Sequence, residues 1–190
     1  MGNLGSITNM LKKIGHKSIV TSDIEKILNA EKLILPGVGA FGNGMRNLND
    51  LNLIEPLDRK VKKEKTPVLG ICLGMHLMMN SSEEDGCSGL GWIEGDVEKF
   101  KDENLKIPHM GWNLIQHKKP SRLFSEIESE KRFYFVHSYY AEMSPYTVAS
   151  CTYGTRFSAA LPKDNFYATQ FHPEKSGSIG AQSLKNFIAL

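Results

Sequence analysis

The segment TPVLGICLGMHLMMN, residues 66–80, restricts the fold of this chain more than any other stretch of its sequence. An apolar run at residues 67–71 is typical of a strand buried on both faces, and it passes directly into a helical pattern. The bend contains GICLG, in which Gly70 and Gly74 flank Cys72 at the spacing of the GxSxG nucleophile elbow. Such a bend needs a buried sheet with helices packed on it, and it presents Cys72 at the end of a strand.

The first half of the chain alternates helical and strand patterns, which predicts a parallel sheet. The predicted helices cover about residues 4–14, a segment after Asp23, a charged stretch that runs to Lys65, and residues 180–190. The predicted strands cover residues 18–21, 32–35 and 67–71, followed by β-like runs at 132–140, 146–154 and 166–171. We therefore expect a single α/β domain over residues 1–190: a central, mostly parallel sheet, flanking helices, and additional β segments in the C-terminal half.

Composition excludes several kinds of partner. With 190 residues, 41% of them hydrophobic, the chain can bury one sizeable core. Its 23 basic and 21 acidic residues give a net charge of +2, which indicates neither nucleic-acid binding nor membrane binding. The three cysteines lack CxxC spacing, and no apolar stretch approaches the roughly 18 residues that cross a bilayer. We expect a cytoplasmic protein without disulfides or a structural zinc.

Cys72 is a candidate nucleophile because of its position at the elbow. The N–H groups at the start of the following helix favour a thiolate. A cysteine between two glycines can equally be an ordinary buried residue, since free cysteine is among the most buried residue types. The elbow alone leaves these two interpretations open.

The segment FYATQFHPEKS, residues 166–176, contains the best candidate for the base that a thiol nucleophile needs. Proline disfavours helix at the preceding residue, so His172 should be extended, and alternate residues of an extended chain share a side. Glu174 would then orient the imidazole while its other ring nitrogen exchanges a proton with Cys72. HPE alone is more typical of a surface turn, but together with the upstream elbow it predicts a triad of Cys72, His172 and Glu174.

The glycine-rich PGVGAFG, residues 36–42, is a candidate for the oxyanion donors that acyl transfer needs. It follows a predicted strand, and backbone N–H groups around Gly37, Val38 and Gly39 can point at an anion. The amide of Leu73, directly after the nucleophile, would be the second donor. The GxxxxGK[ST] pattern of a phosphate-binding loop is absent.

Five segments, spread over essentially the whole chain, together resemble one known family. They are GICLGM, PGVGAFG, KIPHMGWN, FYFVHSYY and QFHPEKS. They resemble the glutaminase subunits of imidazole glycerol phosphate synthases, which are class I glutamine amidotransferases. GxCxG with HPE indicates the broader class, whereas HMGWN and HSYY are specific to this subunit and its close paralogues.

The resemblance implies a function and further site residues. It implies hydrolysis of glutamine to glutamate without a metal or organic cofactor, and transfer of the ammonia to a (β/α)8-barrel synthase subunit in histidine biosynthesis. The family pattern places the backbone around His137 and Ser138 near glutamine, and it requires the Gly37–Val38 peptide to flip before its N–H faces the oxyanion. The residues that it turns towards the barrel partner are His109, Met110, Gly111, Trp112, Asn113 and Tyr139.

Two departures from the family pattern affect these expectations. His76 stands where the family usually has a substrate-contacting glutamine, and an imidazole cannot both donate and accept as an amide does. The family also has an apolar strand before MGN, whereas here Met1 falls on MGN, so the first strand is expected to be missing. That strand lies inside a doubly wound sheet, so its loss predicts an opening there, and we expect the natural start to lie upstream.

Several functions remain open at this point. The leading one is a glutaminase subunit that feeds a synthase in histidine biosynthesis, and a paralogue that supplies ammonia for amidination of bacterial surface sugars is the nearest alternative. A free-standing cysteine hydrolase of other γ-glutamyl compounds is disfavoured by HMGWN and HSYY. A weak or silent regulatory subunit is favoured by His76 and the missing strand, and disfavoured by the intact triad.

Overall fold

The computed structural model describes residues 4–190, and its helices follow the amphipathic patterns of the sequence. The helices are α1 Leu4–Lys13, α2 Ile24–Leu28, α3 Phe41–Asp50, α4 Ile54–Asp58, α5 Leu73–Leu77 and α6 Gly177–Ile188. Shorter helical turns cover Arg59–Lys63, Arg122–Phe124 and Pro173–Lys175. The strands are β1 Leu33–Gly37, β2 Val68–Cys72, β3 Ser81–Ser82, β4 Asp96–Lys99, β5 His109–Leu114, β6 Gln116–His117, β7 Arg132–His137, β8 Tyr139–Ala141, β9 Ala149–Tyr153, β10 Thr155–Lys163 and β11 Phe166–Thr169.

The predicted helix boundaries are confirmed where local signals set them. Gly15 follows α1 in a left-handed conformation, with φ +89°, which explains why the helix ends there. Asp23 caps α2, because its Oδ1 accepts hydrogen bonds from the N–H groups of Glu25 and Lys26. The charged stretch is confirmed as helical through α4 and the turn that follows it.

The central sheet has the order β1-β2-β11-β10-β9-β6. The pairs β1–β2 and β2–β11 are parallel, whereas the strands beyond β11 pair antiparallel. The expected α/β class is therefore confirmed, with the parallel part of the sheet confined to β1, β2 and β11. These three strands end at the same edge of the sheet, which is where ligands bind in such folds.

The predicted strand at residues 18–21 is wrong. These residues are irregular, and Ile19 and Val20 are 75% and 56% exposed. An apolar extended run becomes a strand only when a neighbouring strand supplies hydrogen bonds, and no described strand lies beside this one. Within the described residues β1 forms one edge of the central sheet, and the expected opening, which concerns a strand before residue 4, stays a prediction. The expectation about the start of the chain concerns residues 1–3, which lie outside the described residues.

The core has two parts, one on each face of the central sheet, because alternate residues of β2 point to opposite sides. Leu69 and Ile71 pack with side chains of α1 and α6 on one face. Val68 packs on the other face with α3, α5 and the helical stretch around Val61. β2 is buried along its whole length, as its apolar sequence predicts.

The predicted run at residues 132–140 forms two strands that belong to different small sheets. β7 pairs antiparallel with β5, and β8 pairs with β4 in a sheet of order β3-β4-β8. The break falls at Ser138, next to the residues that the resemblance assigns to glutamine. The C-terminal β segments therefore build one wall of the cavity described below.

Candidate active site

Cys72 occupies a strained elbow between β2 and α5. Its backbone lies at φ 52° and ψ −107°, a conformation that is rare for residues other than glycine and clusters at functional sites. Both flanking glycines are required by space: a Cβ on Gly70 would lie 2.7 Å from the carbonyl oxygen of Gly74, and one on Gly74 would overlap the carbonyl oxygen of Leu35. The sequence therefore bends sharply here and holds the sulfur at the edge of the sheet.

The strand register brings the predicted residues together. Gly37 of β1 lies beside Cys72, and Thr169 of β11 lies beside Ile71. Three residues beyond Thr169 the chain reaches His172, whose N–H donates to the carbonyl of Tyr134 at 2.9 Å. The elbow, the glycine loop and the HPE segment thus meet at one edge, although they are far apart in sequence.

His172 and Glu174 form a buried pair. His172 Nδ1 lies 2.8 Å from Glu174 Oε1. His172 is extended, with φ −98° and ψ 98°, as Pro173 predicts, but Glu174 lies in the following 3-10 turn. The two side chains meet because that turn folds the carboxylate back, and not because an extended chain continues through Glu174.

The electrostatics of His172 favour the protonated form of its ring. Burial disfavours the charged ring, but interactions with Cys72 and Glu174 outweigh burial and raise the pKa of His172 to about 9. The other ring nitrogen, Nε2, is buried and makes no hydrogen bond within residues 4–190. With Nδ1 occupied by Glu174, Nε2 is the nitrogen available for proton exchange with the sulfur.

Gln170 contacts Cys72, although no sequence pattern indicated a role for it. Its Nε2 donates to Cys72 Sγ at 3.8 Å, and its Oε1 lies 2.7 Å from Nε2 of His76. Burial lowers the pKa of His76 to about 4, and the hydrogen bond with Gln170 opposes this shift only in part. The ring is therefore neutral, and its Nε2 donates to Oε1 of Gln170. His76 therefore orients the amide whose N–H points at the sulfur.

Two histidines, His109 and His137, form a pair next to Ser138, and His137 lines the cavity described below. His137 Nδ1 donates to the carbonyl of Tyr139 at 2.8 Å, and His137 Nε2 therefore accepts from His109 Nδ1 at 3.0 Å. Asn113 Nδ2 lies 3.2 Å from His109 Nε2 and donates to the carbonyl of Thr152 at 3.0 Å. Burial lowers the pKa of both rings, that of His109 to about 4, which keeps this pair uncharged.

A cavity of about 400 Å³ opens beside Cys72. Of the predicted oxyanion and substrate residues, those that line it are Val38, Gly39, Leu73, His76, His137 and Ser138. Gly37 is outside the lining. Glu84, which the sequence analysis missed, supplies the cavity's one acidic side chain among the described residues, and burial raises its pKa. A larger cavity of about 580 Å³ at α3 and α4 contains none of the predicted site residues.

The predicted partner residues divide between the two faces of β5. Met110 and Trp112 are 63% and 53% exposed, and Leu114, which was not predicted, continues their row at 43%. His109 is buried, and Asn113 points to the same inner side. Strand alternation explains the division, since successive side chains point to opposite faces. Tyr139 is separate from this row and lines the cavity.

No metal site accompanies the triad in the described part of the chain. No group of three or more His, Cys, Asp or Glu side chains in that part is arranged to hold a metal ion. The side chains around Cys72 are a thiol, an imidazole, a carboxylate and the amide of Gln170. That set suits nucleophilic cleavage of an amide through a covalent thioester. Of the helices within residues 4–190, none is both long and apolar enough to cross a membrane.

An α/β sheet with a strained cysteine elbow and a buried His–Glu pair defines a cysteine-dependent amide hydrolase. The sequence profile "Glutamine amidotransferase class-I" matches residues 2–190, and the chain belongs to that family. It is 52% identical to "Imidazole glycerol phosphate synthase subunit HisH 2" of Methanococcus maripaludis, over 99% of this chain and 95% of the relative. It is 46% identical to subunit HisH 1 of Campylobacter jejuni, strain RM1221, over 100% and 96%.

Solved structures agree on the fold at low sequence identity. A glutamine amidotransferase superimposes with a TM-score of 0.77 at 15% identity, over 99% of this chain and 93% of that one. The structure of PurLQS from Thermotoga maritima gives a TM-score of 0.73 at 15% identity, over 97% and 91%. These superpositions support the α/β sheet and the placement of its helices.

Proposed function

We propose that the chain hydrolyses glutamine to glutamate and ammonia as the glutaminase subunit of a synthase in histidine biosynthesis. The observation that carries the proposal is the buried contact between His172 and Glu174 beside the strained Cys72. The full-length relatives that are named imidazole glycerol phosphate synthase subunits support the pathway. The same residues would serve a paralogue that supplies ammonia for amidination of surface sugars, so the acceptor is identified by the partner.

The proposed reaction follows from the arrangement of three side chains. The Cys72 thiolate attacks the side-chain carboxamide carbon of glutamine, and the carbonyl electrons move onto oxygen. Amides of the glycine loop, residues 37–40, and of Leu73 would stabilise that oxyanion once the Gly37–Val38 peptide has turned its N–H towards it. Collapse breaks the C–N bond, the imidazolium of His172 gives its proton to the nitrogen, and ammonia leaves. A water then gives a proton to His172, attacks the thioester and releases glutamate.

Glu84 is the proposed contact for the α-ammonium group of glutamine. Its carboxylate lines the same cavity as Cys72, and an amino acid bound by its side chain to the elbow has to place its ammonium near an acceptor. His76 lines the cavity too, but its Nε2 is engaged with Gln170. We therefore assign recognition of the ammonium to Glu84 and orientation of Gln170 to His76.

The outer face of β5 is the proposed docking surface for a (β/α)8-barrel partner. Met110, Trp112 and Leu114 form a row of exposed apolar side chains, which is uncommon on a surface that stays in water. Trp112 also makes an edge-to-face contact with Tyr134, with ring centroids 6.1 Å apart, so its orientation is fixed before docking. His109 and Asn113 would support this surface from inside without touching the partner.

Replacing Cys72 by alanine tests the proposed function. We expect Cys72→Ala to abolish glutamate release in the presence of a barrel synthase subunit, because the nucleophile is lost while the fold remains. The matched control is Cys151→Ala, which removes a buried thiol of β9, outside the cavity lining. Release of glutamate from labelled glutamine is the measurement. Most of the turnover remaining in Cys72→Ala would refute the assignment, and an inactive wild-type complex would favour a silent regulatory subunit.

A further inference from the structure

The start of α3 is held by two carboxylates from a segment more than 40 residues away in sequence. Glu84 Oε2 accepts a hydrogen bond from the N–H of Phe41 at 2.8 Å, and Asp85 Oδ2 accepts one from the N–H of Gly42 at 2.8 Å. The residue before α3, Ala40, supplies no side-chain cap of its own. We call Glu84 and Asp85 the carboxylate clamp.

The segment that carries the carboxylate clamp is itself fixed. Its turn is closed by the N–H of Gly86, which donates to the carbonyl of Ser82 at 3.1 Å. The Glu84 N–H donates to Ser82 Oγ, and the Glu83 N–H donates to the carbonyl of Val97 at 2.9 Å. The carboxylate clamp is therefore attached to β4 through the neighbouring Glu83.

The carboxylate clamp acts on the glycine loop, because α3 begins directly after it. Residues 38–40 line the cavity beside Cys72, and Gly37, before them, is held by pairing with β2. Gly39 lies exposed at φ +108° and a side chain there would meet nothing within 4 Å, so the middle of the loop has little packing of its own. Its orientation therefore depends on its two ends.

We propose that Glu84 and Asp85 are positioning residues of the glutaminase reaction, which fix the start of α3 and thereby aim the amides of residues 37–40. The proposal rests on the proposed function, because it concerns the same oxyanion loop. Glu84 also lines the cavity, so its hydrogen bond to Phe41 and its proposed contact with the ammonium would link the loop to bound glutamine. Asp85 is outside the cavity lining and acts through Gly42 alone.

Gly42 leaves free the space that the Asp85 carboxylate occupies. A Cβ at Gly42 would lie 2.6 Å from Asp85 Oδ2 and would displace that carboxylate. Gly42→Ala and Asp85→Ala should therefore break the same contact from its two sides. Their effects on turnover should not add in the double variant, as expected for residues in direct contact.

The test compares Asp85→Ala with Asp85→Asn and with Asp23→Ala in the full chain with its barrel synthase partner. Asp85→Ala should lower kcat for glutamine by about tenfold or more with KM changed less than about threefold, because an oxyanion donor is misaligned. Asp85→Asn keeps an acceptor oxygen and should retain most of the rate. Asp23→Ala removes a similar cap from α2, far from the cavity, and should lower the melting temperature without changing kcat. Alkylation of Cys72 by iodoacetamide, which needs no oxyanion donor, should be equal in all four proteins.

Hydrogen exchange provides a second measurement that does not depend on turnover. Asp85→Ala should speed amide exchange in residues 37–44 of the chain, while residues 73–77 stay as in the wild type. Unchanged exchange, a kcat equal to that of Asp23→Ala, or a parallel loss of Cys72 alkylation would each overturn the proposal. If the wild-type complex releases no glutamate, the proposed function fails, and the exchange measurement alone decides the role of Asp85.

Discussion

At the residue scale, the proposed reaction depends on the protonation of His172. Its pKa is raised from 6.5 to about 9, so the ring carries a proton that it can give to the departing ammonia. We expect kcat/KM to fall as the pH rises through about 9, because the free enzyme then loses this proton. The raised pKa also stabilises the folded state. The contribution of His172 to the free energy of unfolding is complete below about pH 6.5 and is lost as the pH rises through about 9.

Glu174→Gln should move this basic limb towards lower pH, since a neutral amide no longer stabilises the imidazolium. The loss of activity should be smaller than in Cys72→Ala, because the nucleophile and the base remain. A pH–rate profile of the wild type and the variant makes the comparison. If the basic limb of the profile lies at the same pH in both proteins, the Glu174 carboxylate does not stabilise the ring cation.

His76 is the residue whose effect on glutamine affinity the sequence left open. The structure shows its Nε2 bound to the Oε1 of Gln170, so it holds the amide that faces Cys72. We expect His76→Gln to raise affinity for glutamine, because an amide has both a donor and an acceptor and can hold Gln170 with one while it binds the substrate with the other, worth about 1 kcal/mol. Measured KM and Kd values decide this. Weaker binding in the variant would show that His76 is adapted to its own site.

At the element scale, side chains of β5 point alternately outward and inward, which separates residues available to a partner from residues of the interior. The outward residues Met110, Trp112 and Leu114 are exposed, while His109 lies inside against His137. A substitution on the outer face should therefore change binding, and a substitution on the inner face should change stability.

Trp112→Ser should weaken binding of the barrel subunit by about thirtyfold or more, since buried tryptophans are frequent interface hot spots worth at least about 2 kcal/mol. Leu51→Ser is the matched control, because Leu51 is 48% exposed at the end of α3, away from β5. Titration calorimetry with the barrel subunit gives both affinities. Equal affinities for the two variants would move the docking surface elsewhere.

At the scale of the whole molecule, we expect the isolated chain to hydrolyse glutamine slowly and to be activated by its partner. The family pattern requires the Gly37–Val38 peptide to turn its N–H towards the oxyanion, and one missing donor costs about a hundred- to a thousandfold in rate. Adding the barrel subunit should therefore raise glutamate release by a factor in that range. A full rate without any partner would contradict this prediction.

The sequence by itself determined the class of fold, the elbow and the identity of the two partners proposed for Cys72. These depend on local rules: a buried strand must be apolar, a sharp bend needs Gly70 and Gly74, and Pro173 keeps His172 extended. Only the tertiary structure decided which side chains meet. Gln170 against Cys72 and Asp85 against Gly42 are contacts across sequence separations that no local pattern encodes. The failed strand at residues 18–21 has the same cause, since a strand exists only where another chain segment pairs with it.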